Sequence, residues 1–129
     1  FDGFRIVHIS DYHCDSIPGL VSQIRDEKPD IIVCTGDMAD DKGSYVPALR
    51  LIEKLNFIAP CLLVTGNHDL WRPDFEEMKE DIENTGARFL RNKRVFVQRN
   101  GKKIGFSGID DPYICGSRNI KNYINNSLG

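Results

Sequence analysis

Residues 59–69 read APCLLVTGNHD. An apolar run of strand length breaks at Gly66, and an amide, an imidazole and a carboxylate follow at once. Two earlier stretches are built the same way, FRIVHISDYH at 4–13 and DIIVCTGD at 30–37. All three are rich in Ile, Val and Leu and do not alternate polar with apolar, which suits strands buried on both faces, as in a parallel sheet.

Helical spacing fills the gaps. In 17–28, Ile17, Leu20, Val21 and Ile24 recur at helical intervals until Pro29 stops the pattern. Val46, Leu49, Ile52 and Leu55 make a second stripe. A third helix is expected over 73–86, opening at Pro73 with acids early and closing at Gly86. The order β-α-β-α-β-α argues an α/β domain. After it, 87–90, 93–100 and 102–110 read as strands, with Asn100–Gly101 as a hairpin turn between the last two. Residues 112–129 read as loop plus a weak helix.

In such a sheet the residues just after each strand gather at one edge, where ligand sites lie beside a switch in strand order. Here those residues are Asp11 and His13, then Asp37, then Asn67, His68 and Asp69. Carboxylates brought together repel one another, and a divalent cation removes that repulsion. Carboxylate, amide oxygen and imidazole suit Mn, Fe or Zn. Two ions sharing a carboxylate would lie at the ~3.5–4 Å separation that clamps an in-line displacement at phosphorus. Each piece alone has a plainer reading: D-x-H occurs by chance, Gly-Asp after a strand is often only a turn, and Asn67 can be a turn residue. Their conjunction at three strand ends is what points to a site.

S-D-Y-H, T-G-D-M-A-D and T-G-N-H-D resemble the first three blocks of the calcineurin-like metallophosphoesterases, D-x-H, G-D-x-x-D and G-N-H-D. FDGFRIVHISD and GIDDP further resemble a bacterial branch whose members often carry an N-terminal membrane anchor. The resemblance implies a parallel or mixed sheet flanked by helices, here as the first half of a four-layer α/β/β/α sandwich. It also implies hydrolysis of phosphate mono- or diesters by metal-bound hydroxide at a dinuclear centre. Asp11 and His13 would bind the first metal, Asp37 would bridge both and Asn67 would bind the second. His68 would serve the leaving oxygen, with Asp69 orienting it. Asp40 matches the second Asp of its block and is read as a support behind a ligand.

The family pattern continues through a further His and a G-H-x-H block, whereas the only histidines here are His8, His13 and His68. The expectation is therefore a partial domain over 1–129, the N-terminal half, weakly active alone and holding one metal or none. Its uncovered apolar surface is expected to self-associate, and any membrane contact would come through an anchor preceding Phe1.

The formal net charge of −2 gives no broad basic surface for nucleic acid. No apolar run approaches the ~20 residues of a membrane span. Cys14, Cys34, Cys61 and Cys115 form no C-x-x-C pair and read as reduced thiols. His8, inside the first strand, reads as a hydrogen-bonded core histidine. Trp71 reads equally as a lid or an anchoring aromatic, and Asp110 and Asp111 as facing the same edge or as a turn before Pro112. Two other functions compete. One is a haloacid-dehalogenase-type aspartyl-phosphate phosphatase, ranked lower because His13 stands where its acid Asp belongs. The other is a non-catalytic half-domain with weak or no metal binding. No P-loop or dinucleotide fingerprint occurs.

Overall fold

The computed structural model describes residues 3–111 and 120–128. The three apolar runs form β1 (Ile6–Ile9), β2 (Ile31–Thr35) and β3 (Cys61–Val64), joined in parallel, with the short β4 (Arg88–Phe89) parallel to β3. Strand order is β1-β2-β3-β4. The described strands therefore contain no reversal of order, and the edge of interest is formed by consecutive neighbours. Helices α1 (Leu20–Asp26), α2 (Val46–Ile58), α3 (Asn67–Trp71) and α4 (Phe75–Asn84) complete the α/β pattern.

One face of the sheet carries the main core. Ile32, Cys34 and Leu63 pack there with Ile24 of α1, Ile52 and Leu55 of α2, and Met78 and Ile82 of α4. Filling such positions contributes roughly 1.5–3 kcal/mol per large aliphatic side chain. The inward stripe of α2 is Ala48, Leu51, Ile52 and Leu55, whereas Val46 is exposed. The expected stripe is thus turned at its start: Val46, the first helical residue, is exposed, and the buried side chain two residues on is the small Ala48, while Ile52 and Leu55 pack inward as expected.

The opposite face meets a hairpin. β5 (Lys93–Arg99) and β6 (Lys102–Gly108) pair antiparallel, and Asn100 and Gly101 both take positive φ, as a tight hairpin turn requires. Ile31, Leu62 and Leu90 are buried beneath it, with Val95, Val97 and Phe106 packed on them. β1 escapes this cover. Ile6 is 51% exposed and His8 is exposed, so the expectation of burial on both faces fails for β1. His8 is not a core histidine; its Nε2 shares a hydrogen bond with the Thr35 hydroxyl on the open face. The uncovered sheet forms an apolar cleft of about 240 Å³ lined by Ile6, Val33, Val64, Leu90 and Phe106 among others.

The third expected helix begins later than Pro73, at Phe75, because Arg72 is extended (ψ 130°) and breaks the chain between α3 and α4. The weak helix of the tail is α5 (Ile120–Leu128), resting on the hairpin where the Ser107 hydroxyl donates to the Ser127 carbonyl (2.9 Å). Pro112 and Cys115 lie outside the described residues. Among the described residues no helix is long and apolar enough to cross a membrane.

Candidate metal centre

The chain leaves β1 and β2 side by side. Beyond the strands, the amides of Asp11, His13 and Cys14 donate to the carbonyls of Gly36, Asp37 and Met38 at 3.0–3.1 Å. This ladder brings the D-x-H segment against the G-D segment. It is built on left-handed backbone, with φ 55° at Asp11, 49° at His13 and 52° at Asp37. Such conformations cost side-chain-bearing residues of order 1–3 kcal/mol each and concentrate at functional sites.

The second junction, between β2 and β3, needs two glycines. A Cβ on Gly36 would lie 2.8 Å from the Gly66 Cα, and one on Gly66 would lie 2.1 Å from the Asp37 Oδ1. Two strand ends therefore touch backbone to backbone, and the Asp37 carboxylate occupies the space that a Gly66 side chain would fill. Asp37 Oδ1 accepts a hydrogen bond from the His68 amide (3.0 Å). Asn67, half-buried, sits between these two contacts as the first residue of α3.

The outcome is convergence. Ligand atoms of Asp11, His13 and Asp37 all lie within 4.8 Å of one another, and so do those of His13, Asp40 and His68. His13 Nδ1 meets Asp40 Oδ1 at 2.6 Å, leaving Nε2 to face Asp11 Oδ1 at 3.8 Å. With Nδ1 engaged by a carboxylate, Nε2 is the nitrogen free to ligate a metal. The Asp40 hydrogen bond raises the His13 pKa from 6.5, partial burial lowers it, and the charges of Asp40, Asp37 and Asp11 raise it further. Ser10 donates its hydroxyl to the Asp11 carboxylate. Two carboxylates and an imidazole nitrogen at this spacing, partly open to solvent, fit a hard-to-borderline divalent ion.

Asp69 does something other than orient the His68 ring. Only 2% exposed, it accepts from the backbone amides of Asp37 (2.8 Å), Gly66 (3.0 Å) and Ala39 (3.3 Å). Burial raises its pKa and these three hydrogen bonds pull the other way. It staples the β2 end to the β3 end. The carboxylate facing His68 Nδ1 is Asp41, at 3.3 Å, a residue the sequence reading did not single out. The rings of His13 and His68 meet edge-on at 4.9 Å between centroids, and Trp71 lies 5.1 Å beyond His68. Asp110 is buried behind the site, accepting from Thr65 (3.3 Å) and from Arg91 Nε (3.1 Å), which ties the end of β6 to the end of β3. Cys34 and Cys61 are buried thiols whose pKa values are pushed up, that of Cys61 to about 12, so both remain protonated core residues.

A profile of the calcineurin-like phosphoesterases matches residues 4–125. The chain belongs to the calcineurin-like phosphoesterase family. Among its relatives, metallophosphoesterase YkoQ of Bacillus subtilis is 32% identical over 116 residues, covering 83% of this chain and 43% of YkoQ. Metallophosphoesterase YkuE of the same organism is 31% identical over 121 residues, 86% of this chain and 42% of YkuE. A zebrafish (Danio rerio) transmembrane protein with a metallophosphoesterase domain is 33% identical over 122 residues, 85% of this chain and 28% of that protein. The chain thus spans less than half the length of these relatives. Family membership implies divalent metal ions and phosphate-ester substrates for such proteins, and the Asp11–His13–Asp37 group is a donor set suited to the former.

Proposed function

We propose that this chain carries the metal-holding strand ends of a phosphoesterase that hydrolyses phosphate monoesters or diesters at a dinuclear centre. Asp11, His13 and Asp37 would hold one divalent ion, and Asp37 with Asn67 would reach a second; Mn, Fe or Zn suits these donors. The ions would supply charge to polarise a phosphoryl oxygen and to acidify water. His68, with Nδ1 toward Asp41, keeps Nε2 free to give a proton to the departing ester oxygen. Asp69 contributes by fixing the backbone of Asp37 and Gly66 rather than by touching substrate.

The observation that carries this reading is the meeting of Asp11, His13 and Asp37 within 4.8 Å on three left-handed backbone positions. We place residues 1–129 as the N-terminal part of a larger phosphoesterase domain. With the histidines limited to His8, His13 and His68, and His8 on the open sheet face, the second ion finds few ligands here. That favours weak turnover by this stretch alone, and it supports as second reading a half-domain that binds metal without catalysis.

Metal content and hydrolysis of an aryl phosphate diester and monoester with added Mn²⁺ test both readings. Asp37→Asn should lose metal and turnover together. His68→Asn should keep metal and lose turnover. Full metal content in Asp37→Asn would refute the ligand assignment, and metal uptake by the intact protein without turnover would select the non-catalytic reading.

A further inference from the structure

Arg72 lies outside every ligand set described above, yet its side chain is only 4% exposed. Desolvating a guanidinium is costly unless each N–H finds a partner. Here Nε and Nη2 donate to the two Asp74 oxygens at 2.8 and 3.0 Å. Nη1 donates to the Asp40 carbonyl at 2.6 Å and Nη2 to the Gly43 carbonyl at 2.8 Å. The guanidinium also lies over the Tyr45 ring, 5.4 Å from its centroid, and its pairing holds the Asp74 carboxyl below the usual carboxylate range.

The two gripped carbonyls bracket residues 40–43, an irregular segment between β2 and α2. That segment carries Asp40, on His13 Nδ1 at 2.6 Å, and Asp41, on His68 Nδ1 at 3.3 Å. One buried fork therefore holds the backbone from which two carboxylates reach two imidazoles. Asp74, the N-cap of α4, anchors the fork to the helical layer. Lysine offers a point charge without the planar fork and cannot bridge both carbonyls and the carboxylate at once.

We propose that Arg72 is a positioning residue for the metal centre: by clamping the carbonyls of Asp40 and Gly43 it sets the His13 and His68 imidazoles together. The reading of His13 as a ligand rests on the proposed function; the clamp itself does not. The His13–Asp40 contact is the kind of outer support whose loss costs about 10–100-fold in metal affinity, and Arg72 acts one link behind it.

The test uses the protein carrying this chain, as Arg72→Gln, Arg72→Lys and, as a control for stability alone, Ile82→Ala in the core of α4. Two quantities are measured well below each variant's melting temperature: imidazole ¹⁵N spectra of metal-free protein, and Mn²⁺ affinity. Arg72→Gln should shift the signals of both His13 and His68 and weaken Mn²⁺ binding about tenfold. Arg72→Lys should fall between it and wild type. Ile82→Ala should melt earlier but keep wild-type spectra and affinity. Wild-type spectra in Arg72→Gln, or an equal change in Ile82→Ala, would overturn the proposal. Should Arg72→Gln not fold, the same two readouts on Arg72→Lys decide. Were wild type to take up no Mn²⁺, the proposed function would fail, while the metal-free spectra would still decide the clamp.

Discussion

Asp69→Asn separates a structural staple from a group that orients the His68 ring. One oxygen of Asp69 serves both the Asp37 and Gly66 amides, and the other serves the Ala39 amide at the longer distance of 3.3 Å. Asparagine can keep its carbonyl on the first pair and must then turn its NH₂ toward the Ala39 N–H. One buried donor loses its acceptor, at a cost of about 1–3 kcal/mol. Because burial raises the Asp69 pKa, removing the charge offsets part of that loss, so we expect about 2 kcal/mol. For a chain of 129 residues this is a fall in melting temperature of roughly 8 °C. Asp69→Ala leaves one buried and two half-buried amides unpaired and should cost about 3–5 kcal/mol, a large share of the ~5–15 kcal/mol that holds a domain together. Thermal and urea denaturation of metal-free protein measure both, with Mn²⁺ affinity of the folded fraction as a second readout. Unchanged melting of Asp69→Asn with a large loss of turnover would refute the staple and return Asp69 to the His68 ring.

Gly66→Ala should destabilise the protein and depress metal uptake, because its Cβ would fall 2.1 Å from the Asp37 Oδ1; Gly101→Ala, with positive φ but no neighbour within 4 Å, should leave uptake intact, and equal uptake in the two would contradict the close approach. The raised His13 pKa gives stability that is full below 6.5 and is lost as pH climbs through the folded value, so metal-free melting should fall from about pH 6 to about pH 8 more in wild type than in Asp40→Asn. Equal slopes in the two would remove Asp40 as the cause. Trp71, the one tryptophan, lies 5.1 Å from the His68 ring, so Mn²⁺ binding should quench its emission; unchanged emission at proven saturation would misplace that ring.

The parallel sheet and the polar edge beyond its first three strands are readable because each rests on local pattern: unbroken Ile/Val/Leu runs and polar residues just after them. The strand order β1-β2-β3-β4 is not, since nothing local fixes which strands neighbour one another. The hairpin was equally plain from Asn100–Gly101. What the sequence hid are the contacts made across distance. Asp69 looks like part of a catalytic cluster in one dimension, but two of the three amides it serves lie 30 and 32 residues away. Asp41 and Arg72 stand outside the three calcineurin-like blocks, and the contacts that tie them to the site span 27 to 32 residues. The run KGS before Tyr45 signals only a loop, not that a buried guanidinium holds it. Periodicity also could not tell that β1 has one open face, since Ile6 and His8 read like strand interior whatever covers them.

The central claim is that Asp11, His13 and Asp37 hold a divalent ion. It is tested most directly by anomalous diffraction from crystals of the protein carrying this chain, grown with Zn²⁺. The account predicts a peak within about 2.0–2.2 Å of a carboxylate oxygen of Asp11, of His13 Nε2 and of a carboxylate oxygen of Asp37. A well-occupied Zn²⁺ peak elsewhere, with these three side chains free of metal, would contradict it.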